Sequence, residues 1–107
     1  DPNIMIEKYG ADTVRLYMMF TSPPEQSLEW SDTAIEGSYR FLRKVWNLIS
    51  KRKIYAKEAP QEFTKAELKL RYKSHQTLKK VTNDFAERNS FNTAIASVME
   101  LLNAIPD

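Results

Sequence analysis

A chain of 107 residues holds one modest hydrophobic core, since folding at this size buries roughly 60–70% of the unfolded surface. Its 42% hydrophobic and 28% charged residues, with only two glycines, exclude a disordered or loop-rich chain, and the lack of cysteine excludes disulfides, thiolate metal sites and thiol redox chemistry. A net charge of +2 is too small by itself to mark a nucleic-acid binder, so any such role must come from how the charges are distributed.

In chain order, Asp1-Pro2 reads as an N-cap followed by proline at the first helical position, and Gly10 as the left-handed residue that ends a short helix. A second helix is expected from Asp12 to about Phe20; its apolar residues Val14, Leu16, Tyr17, Met18, Met19 and Phe20 require cover on nearly all sides. Ser22-Pro23-Pro24 stops it, because neither proline offers an amide donor and the second forces an extended residue before it. Leu28-Glu29-Trp30 fits either a short strand or an irregular connection.

Ser31 or Asp32 caps the next helix, which runs to about Arg52. Ile35, Tyr39, Leu42, Val45, Trp46 and Ile49 recur on it at three- and four-residue steps and form one apolar face, with Trp46 assigned to the core. Lys53 to Phe63, with Pro60, breaks the period and reads as a surface linker. Thr64-Lys65-Ala66-Glu67 has the form of a capping box and starts a long helix to about Arg88, whose inner face uses Leu68, Tyr72, His75, Leu78, Val81 and Phe85. Asn92 caps a last helix striped by Ala94, Ile95, Val98, Met99, Leu102 and Ile105, which Pro106 ends. The fold class is therefore all-α: an antiparallel helical bundle over residues 31–107, preceded by a short helical and irregular connector over residues 1–30.

The basic residues are unevenly placed. Arg40 to Lys53 contains six basic residues and no acidic one, and Lys65 to Lys80 adds six against the single Glu67. At about 100° per residue, Arg40, Lys44, Asn47 and Lys51 share a narrow stripe opposite the apolar face, with Arg43 beside it. A phosphate backbone along such a stripe would be held in a salt-sensitive, sequence-independent way, although a solvated charged face has the same pattern. Lys65, Lys69, Lys73 and Lys80 align similarly on the long helix, where lysines also serve solubility and helix propensity.

Nothing in the chain argues for catalysis. His75 is the only histidine, is placed on an inner face, and has no companion with which to form a metal site. Asp12 and Arg15, three apart, fit a local pair at a helix start or a tie to a neighbouring domain, and the local role is the expectation. The pairs Asp84/Glu87 and Glu25/Glu29 are expected to face solvent, with no neighbouring base. No glycine-rich phosphate loop occurs, and no serine has a base partner. The longest apolar run, Leu16 to Phe20, is far short of the roughly 20 residues of a membrane span, and Asp1-Pro2-Asn3 lacks a signal peptide's basic start, so a cytoplasmic location is expected.

A set of short motifs carries more specific information: Tyr9-Gly10-Ala11-Asp12, Arg15-Leu16, Pro23-Pro24-Glu25, Leu28-Glu29-Trp30-Ser31-Asp32, Glu36-Gly37, and Tyr39-Arg40-Phe41-Leu42 followed by Val45-Trp46. With His75-Gln76-Thr77-Leu78-Lys79-Lys80-Val81-Thr82 and Phe91-Asn92-Thr93-Ala94-Ile95-Ala96, they extend over nearly the whole chain. This wording resembles bacterial leucyl-tRNA synthetases, of class I; valyl and isoleucyl relatives share the plan but match the motifs less well. The resemblance implies a segment that follows the Lys-Met-Ser-Lys-Ser loop and enters the anticodon-binding helical domain. It also implies a parent enzyme that joins leucine to its tRNA using ATP and magnesium. The segment itself lacks that loop, the His-x-Gly-His-type motif and the editing insert, so it is expected to be inactive alone and to hold no cofactor. On this reading the partners are tRNA and the catalytic domain of the same chain, with backbone contacts made by Arg40, Arg43, Lys44, Lys51, Lys69 and Lys73 rather than a base code. The rival expectation is a helical interaction module whose apolar faces dock on a protein; faces uncovered by truncation would imitate it and permit weak self-association.

Overall fold

The computed structural model describes residues 1–21, 31–51, 61–88 and 90–106. The expected stop at Ser22-Pro23-Pro24, the strand alternative at Leu28-Glu29-Trp30 and most of the linker after Lys51 lie outside these residues. Every regular element among the described residues is helical, in agreement with the all-α expectation: α1 Pro2–Tyr9, α2 Ala11–Thr21, α3 Asp32–Lys51, α4 Lys65–Asn83, a π-helical turn Asp84–Arg88, and α5 Phe91–Ala104. Contacts divide the chain into two units, 1–52 and 53–107.

In the first unit the Asp1 carboxylate accepts a hydrogen bond from the Asn3 amide at 3.0 Å, and Pro2 occupies the first helical turn, as the sequence indicates. α1 ends at Gly10, whose φ of 92° with ψ of 155° is backbone open essentially to glycine alone; a Cβ there would meet nothing within 4 Å, so the requirement is one of conformation and not of space. α2 buries only one side, through Thr13, Val14 and Tyr17, and leaves Met18 and Met19 exposed, against the expectation of cover all round. The Tyr17 hydroxyl accepts from the Ser31 amide at 3.2 Å and so fixes the start of α3. Ser31 also caps that helix: its hydroxyl accepts from the Ala34 amide at 3.4 Å.

On α3 the predicted apolar stripe enters the core only in its first half. Ile35 and Ser38 are buried, whereas Trp46 is 73% exposed and Ile49 56%. Trp46 is therefore not a core residue. The reason is length: α3 has 20 residues and α2 only 11, or about 30 Å against about 16 Å, so the partner helix ends before the stripe does.

In the second unit α4 begins with the complete capping box, Thr64 Oγ1 accepting from the Glu67 amide at 3.1 Å and Glu67 Oε1 accepting from the Thr64 amide at 2.9 Å. Its expected inner face is corrected. Leu68, Tyr72, Leu78, Phe85 and also His75 are exposed, and only Val81 of that set is partly buried. The side toward α5 carries Leu70, Ser74, Thr77, Val81 and Asp84. This seam is polar, yet each hydroxyl is satisfied within its own helix: Ser74 donates to the Leu70 carbonyl at 2.9 Å, Thr77 to that of Lys73 at 2.8 Å, and Ser97 of α5 to that of Thr93 at 3.0 Å. With their donors used locally, these residues pack as small side chains and bring two helices together without a broad apolar stripe.

The expected helix to Arg88 does continue, but it widens after Asn83 into the π turn. There Asp84 is 1% exposed, accepting from the Thr93 hydroxyl at 2.9 Å and pairing with Lys80 at 3.2 Å, so it does not face solvent as its pairing with Glu87 suggested. The Ser90 amide donates to the Asp84 carbonyl at 3.0 Å, and the rings of Phe85 and Phe91 lie 5.1 Å apart across the bend. α5 starts one residue before Asn92, with Ser90 at the cap position and Ala94 and Ile95 buried. Ile105 leaves the helix in an extended conformation ahead of Pro106. No buried side-chain nitrogen or oxygen among the described residues lacks a hydrogen-bond partner.

Candidate nucleic-acid interface

α3 displays its basic stripe over most of its length. Arg40, Arg43, Lys44 and Lys51 are all exposed, and Asn47 between them is half-buried. Arg40 lies 4.0 Å from Glu36, a pair with both side chains more than half exposed; such contacts contribute at most about 1 kcal/mol and give way to a stronger anion. Arg43 is more firmly placed. It donates to the Tyr39 hydroxyl at 3.3 Å, and its guanidinium stands 5.7 Å from the centre of the Tyr39 ring.

That tyrosine belongs to a row the sequence does not reveal. The Tyr39 ring packs on Tyr9 at 5.8 Å, the Tyr9 hydroxyl donates to Glu36 at 3.4 Å, and Lys8 sits 5.2 Å from the centre of the Tyr9 ring. The Tyr9 side chain, followed by the more distant Asp32 and Glu36 carboxylates, holds the Lys8 ammonium above its ordinary pKa. Two packed rings flanked by a cation at each end thus run from the end of α1 to the middle of α3. Periodicity places Tyr39 only on the apolar face, and the signal that could have found its second role is its spacing of four from Arg43.

In the second unit Lys69 is exposed and Lys73 half-buried on α4. Lys73 borders an open groove of about 870 Å³ beside the α4–α5 seam, together with Tyr72, Lys79, Lys80, Asn83 and Ser97; Lys69 does not line it. His75, also on the groove, is exposed and not the packed residue expected from its register. Asp12 and Arg15 form the expected local ion pair at 2.8 Å, with both side chains well exposed. Among the described residues no three His, Cys, Asp or Glu side chains come together in a way that could hold a metal ion, and no helix is long and apolar enough to cross a membrane. Chemically, exposed guanidinium and ammonium groups on rigid helices can hold and orient a polyanion.

No protein-family model matches the chain. Curated relatives do. It is 52% identical over 107 residues to a leucine–tRNA ligase of Chromobacterium violaceum, 53% over 109 residues to one of Hydrogenovibrio crunogenus, and 54% over 108 residues to one of Marinomonas sp.. These alignments take in 97 to 98% of the chain but only 12 to 13% of each relative, so the chain spans about an eighth of the proteins it matches. Over the segment it represents, the chain belongs to the leucine–tRNA ligase family.

Proposed function

We propose that this segment positions tRNA on a leucine–tRNA ligase. The parent enzyme would join leucine to its tRNA at the expense of ATP, with magnesium, in the cytoplasm. Residues 1–30 would serve as the connector from the catalytic domain and residues 31–107 as part of the anticodon-binding helical domain. The ATP and magnesium chemistry belongs to parts of the parent beyond this segment. The observation that carries the reading is the exposed α3 stripe Arg40, Lys44 and Lys51 with the ring-braced Arg43 beside it. Lys69 and Lys73 of α4 add a second set of phosphate contacts. Such contacts fix register and orientation and do not read sequence.

The test is a titration of the protein with leucine tRNA and with an unrelated tRNA at low and near-physiological salt. We expect salt-sensitive binding, similar for both tRNAs, and an Arg40→Gln/Lys44→Gln/Lys51→Gln variant whose log–log salt slope is smaller by about three, one for each phosphate no longer neutralised. An unchanged slope in the variant would remove α3 from the interface.

A second reading rests on a specific observation. Trp46, Ile49, Leu68, Tyr72 and Leu78 are each more than half exposed, as they would be on surfaces that dock on protein or support weak self-association of the isolated segment. Docking of that kind would resist salt and survive the triple substitution.

A further inference from the structure

The groove along the α4–α5 hairpin has two features that a plain solvated surface does not need. The first is charge: Lys73, Lys79 and Lys80 converge on it, against Glu100 as the one acidic side chain among its lining residues. Lys80 is committed to the buried Asp84 at 3.2 Å, which leaves Lys73 and Lys79 as the rim cations, about 9 Å apart along the helix axis and within the reach of flexible lysine stems. The second is a ring. Tyr72 is 66% exposed at the edge of the groove, and its hydroxyl accepts from Gln76 Nε2 at 3.2 Å, which braces the ring from within its own helix.

We infer that this groove holds an unstacked nucleotide of single-stranded RNA, with the base on the Tyr72 ring and the flanking phosphates on Lys73 and Lys79. The RNA partner rests on the tRNA-positioning reading; the subsite rests on the groove. Its volume of about 870 Å³ lies within the roughly 300–1,000 Å³ of clefts that take small ligands, and Asn83 and Ser97 add polar atoms along its wall. A duplex cannot use the site in this way, because its bases are stacked inside and only an opened loop or end can offer a face to an aromatic side chain. Stacking tolerates any base, so the groove selects strandedness and not sequence.

The experiment compares the full-length protein carrying this segment with its Tyr72→Ala, Tyr72→Phe and Lys79→Gln variants. Fluorescence anisotropy is read with an unstructured, fluorescein-labelled RNA of about ten nucleotides, a size typical of single-strand sites, and with a duplex of the same length. Because Lys80 and Asp84 are left intact, the hairpin seam is undisturbed. The expected result is that Tyr72→Ala weakens single-strand binding about tenfold and Tyr72→Phe restores it. Lys79→Gln should lower the single-strand salt slope by about one. Duplex binding should not respond to Tyr72. Equal effects of Tyr72→Ala on both RNAs, or none on either, would overturn the inference. A lowered tRNA salt slope in the α3 triple variant alongside a silent Tyr72→Ala would sink this subsite and leave the tRNA reading standing, whereas a protein that binds neither RNA nor tRNA would defeat both.

Discussion

Asp84 shows how much one side chain can decide. An aspartate three residues from a glutamate on a charged helix reads as solvated, and Glu87 is; Asp84 instead sits 1% exposed, between the Thr93 hydroxyl and the Lys80 ammonium. Nothing local in the sequence separates the two, because burial of Asp84 depends on α5 returning against α4. Asp84→Ala should destabilise the hairpin by about 1–3 kcal/mol, the cost of removing a buried acceptor when the half-exposed Lys80 can regain water and the Thr93 hydroxyl can turn its one proton wholly to the Ser90 carbonyl. Glu87→Ala should stay within about 0.5 kcal/mol. Chemical denaturation of the two variants side by side checks the contrast, and equal midpoints would mean that Asp84 contributes nothing to the seam.

At the scale of elements, several beginnings and ends were legible, although Asn92 lies inside α5 and does not cap it, and faces were less so. Asp1-Pro2, Gly10 and the Thr64–Glu67 box act through backbone groups a few residues away, so the short-range pattern suffices. The Glu67 carboxyl is held below its ordinary value of 4.5 chiefly by the Thr64 backbone amide and then by the Thr64 side chain. Its folded-state pKa is thus the lower one. The capping contribution is complete above the ordinary value and is lost as pH falls through the folded one. The wild type should therefore lose order in the first turn of α4 on acidification below about pH 4.5, seen by NMR of the Glu67 and Leu68 amides. Glu67→Gln, which can still close the box, should not show that loss. If both titrate alike, the box is not the source.

The faces failed for a different reason. On α4 the apolar positions Leu68, Tyr72 and Leu78 suggested a hydrophobic contact, but the helix pairs with α5 through Ser74 and Thr77, whose hydroxyls are satisfied within α4, and at its end through Asp84, which accepts from Thr93 of α5. Hydropathy periodicity cannot register such a seam. On α3 the period was right and its reach was not, since burial stops where the shorter α2 stops.

For the whole molecule, the all-α class followed from periodicity and punctuation, and the α3 basic stripe from helical geometry alone, because an exposed face needs no partner to define it. The α4–α5 groove required two helices to be placed together and was invisible in the chain, although three of its cations were in plain view as part of a basic run. Relatives about half identical over nearly the whole chain anchor the family, and the chain spans about an eighth of their length.

The exposed indole of Trp46 has an optical consequence. It projects from the apolar side of α3, away from the stripe of Arg40, Lys44 and Lys51 and one turn from Arg43, so its emission does not sense the stripe itself. In a Trp30→Phe background, RNA bound along the cationic side should leave the spectrum at the red wavelengths of a wet indole, while a protein seated on the apolar side should dry the ring and move the emission to the blue. One cuvette then distinguishes the two modes of binding, and a blue shift on adding tRNA would mean that the nucleic acid approaches from the opposite face.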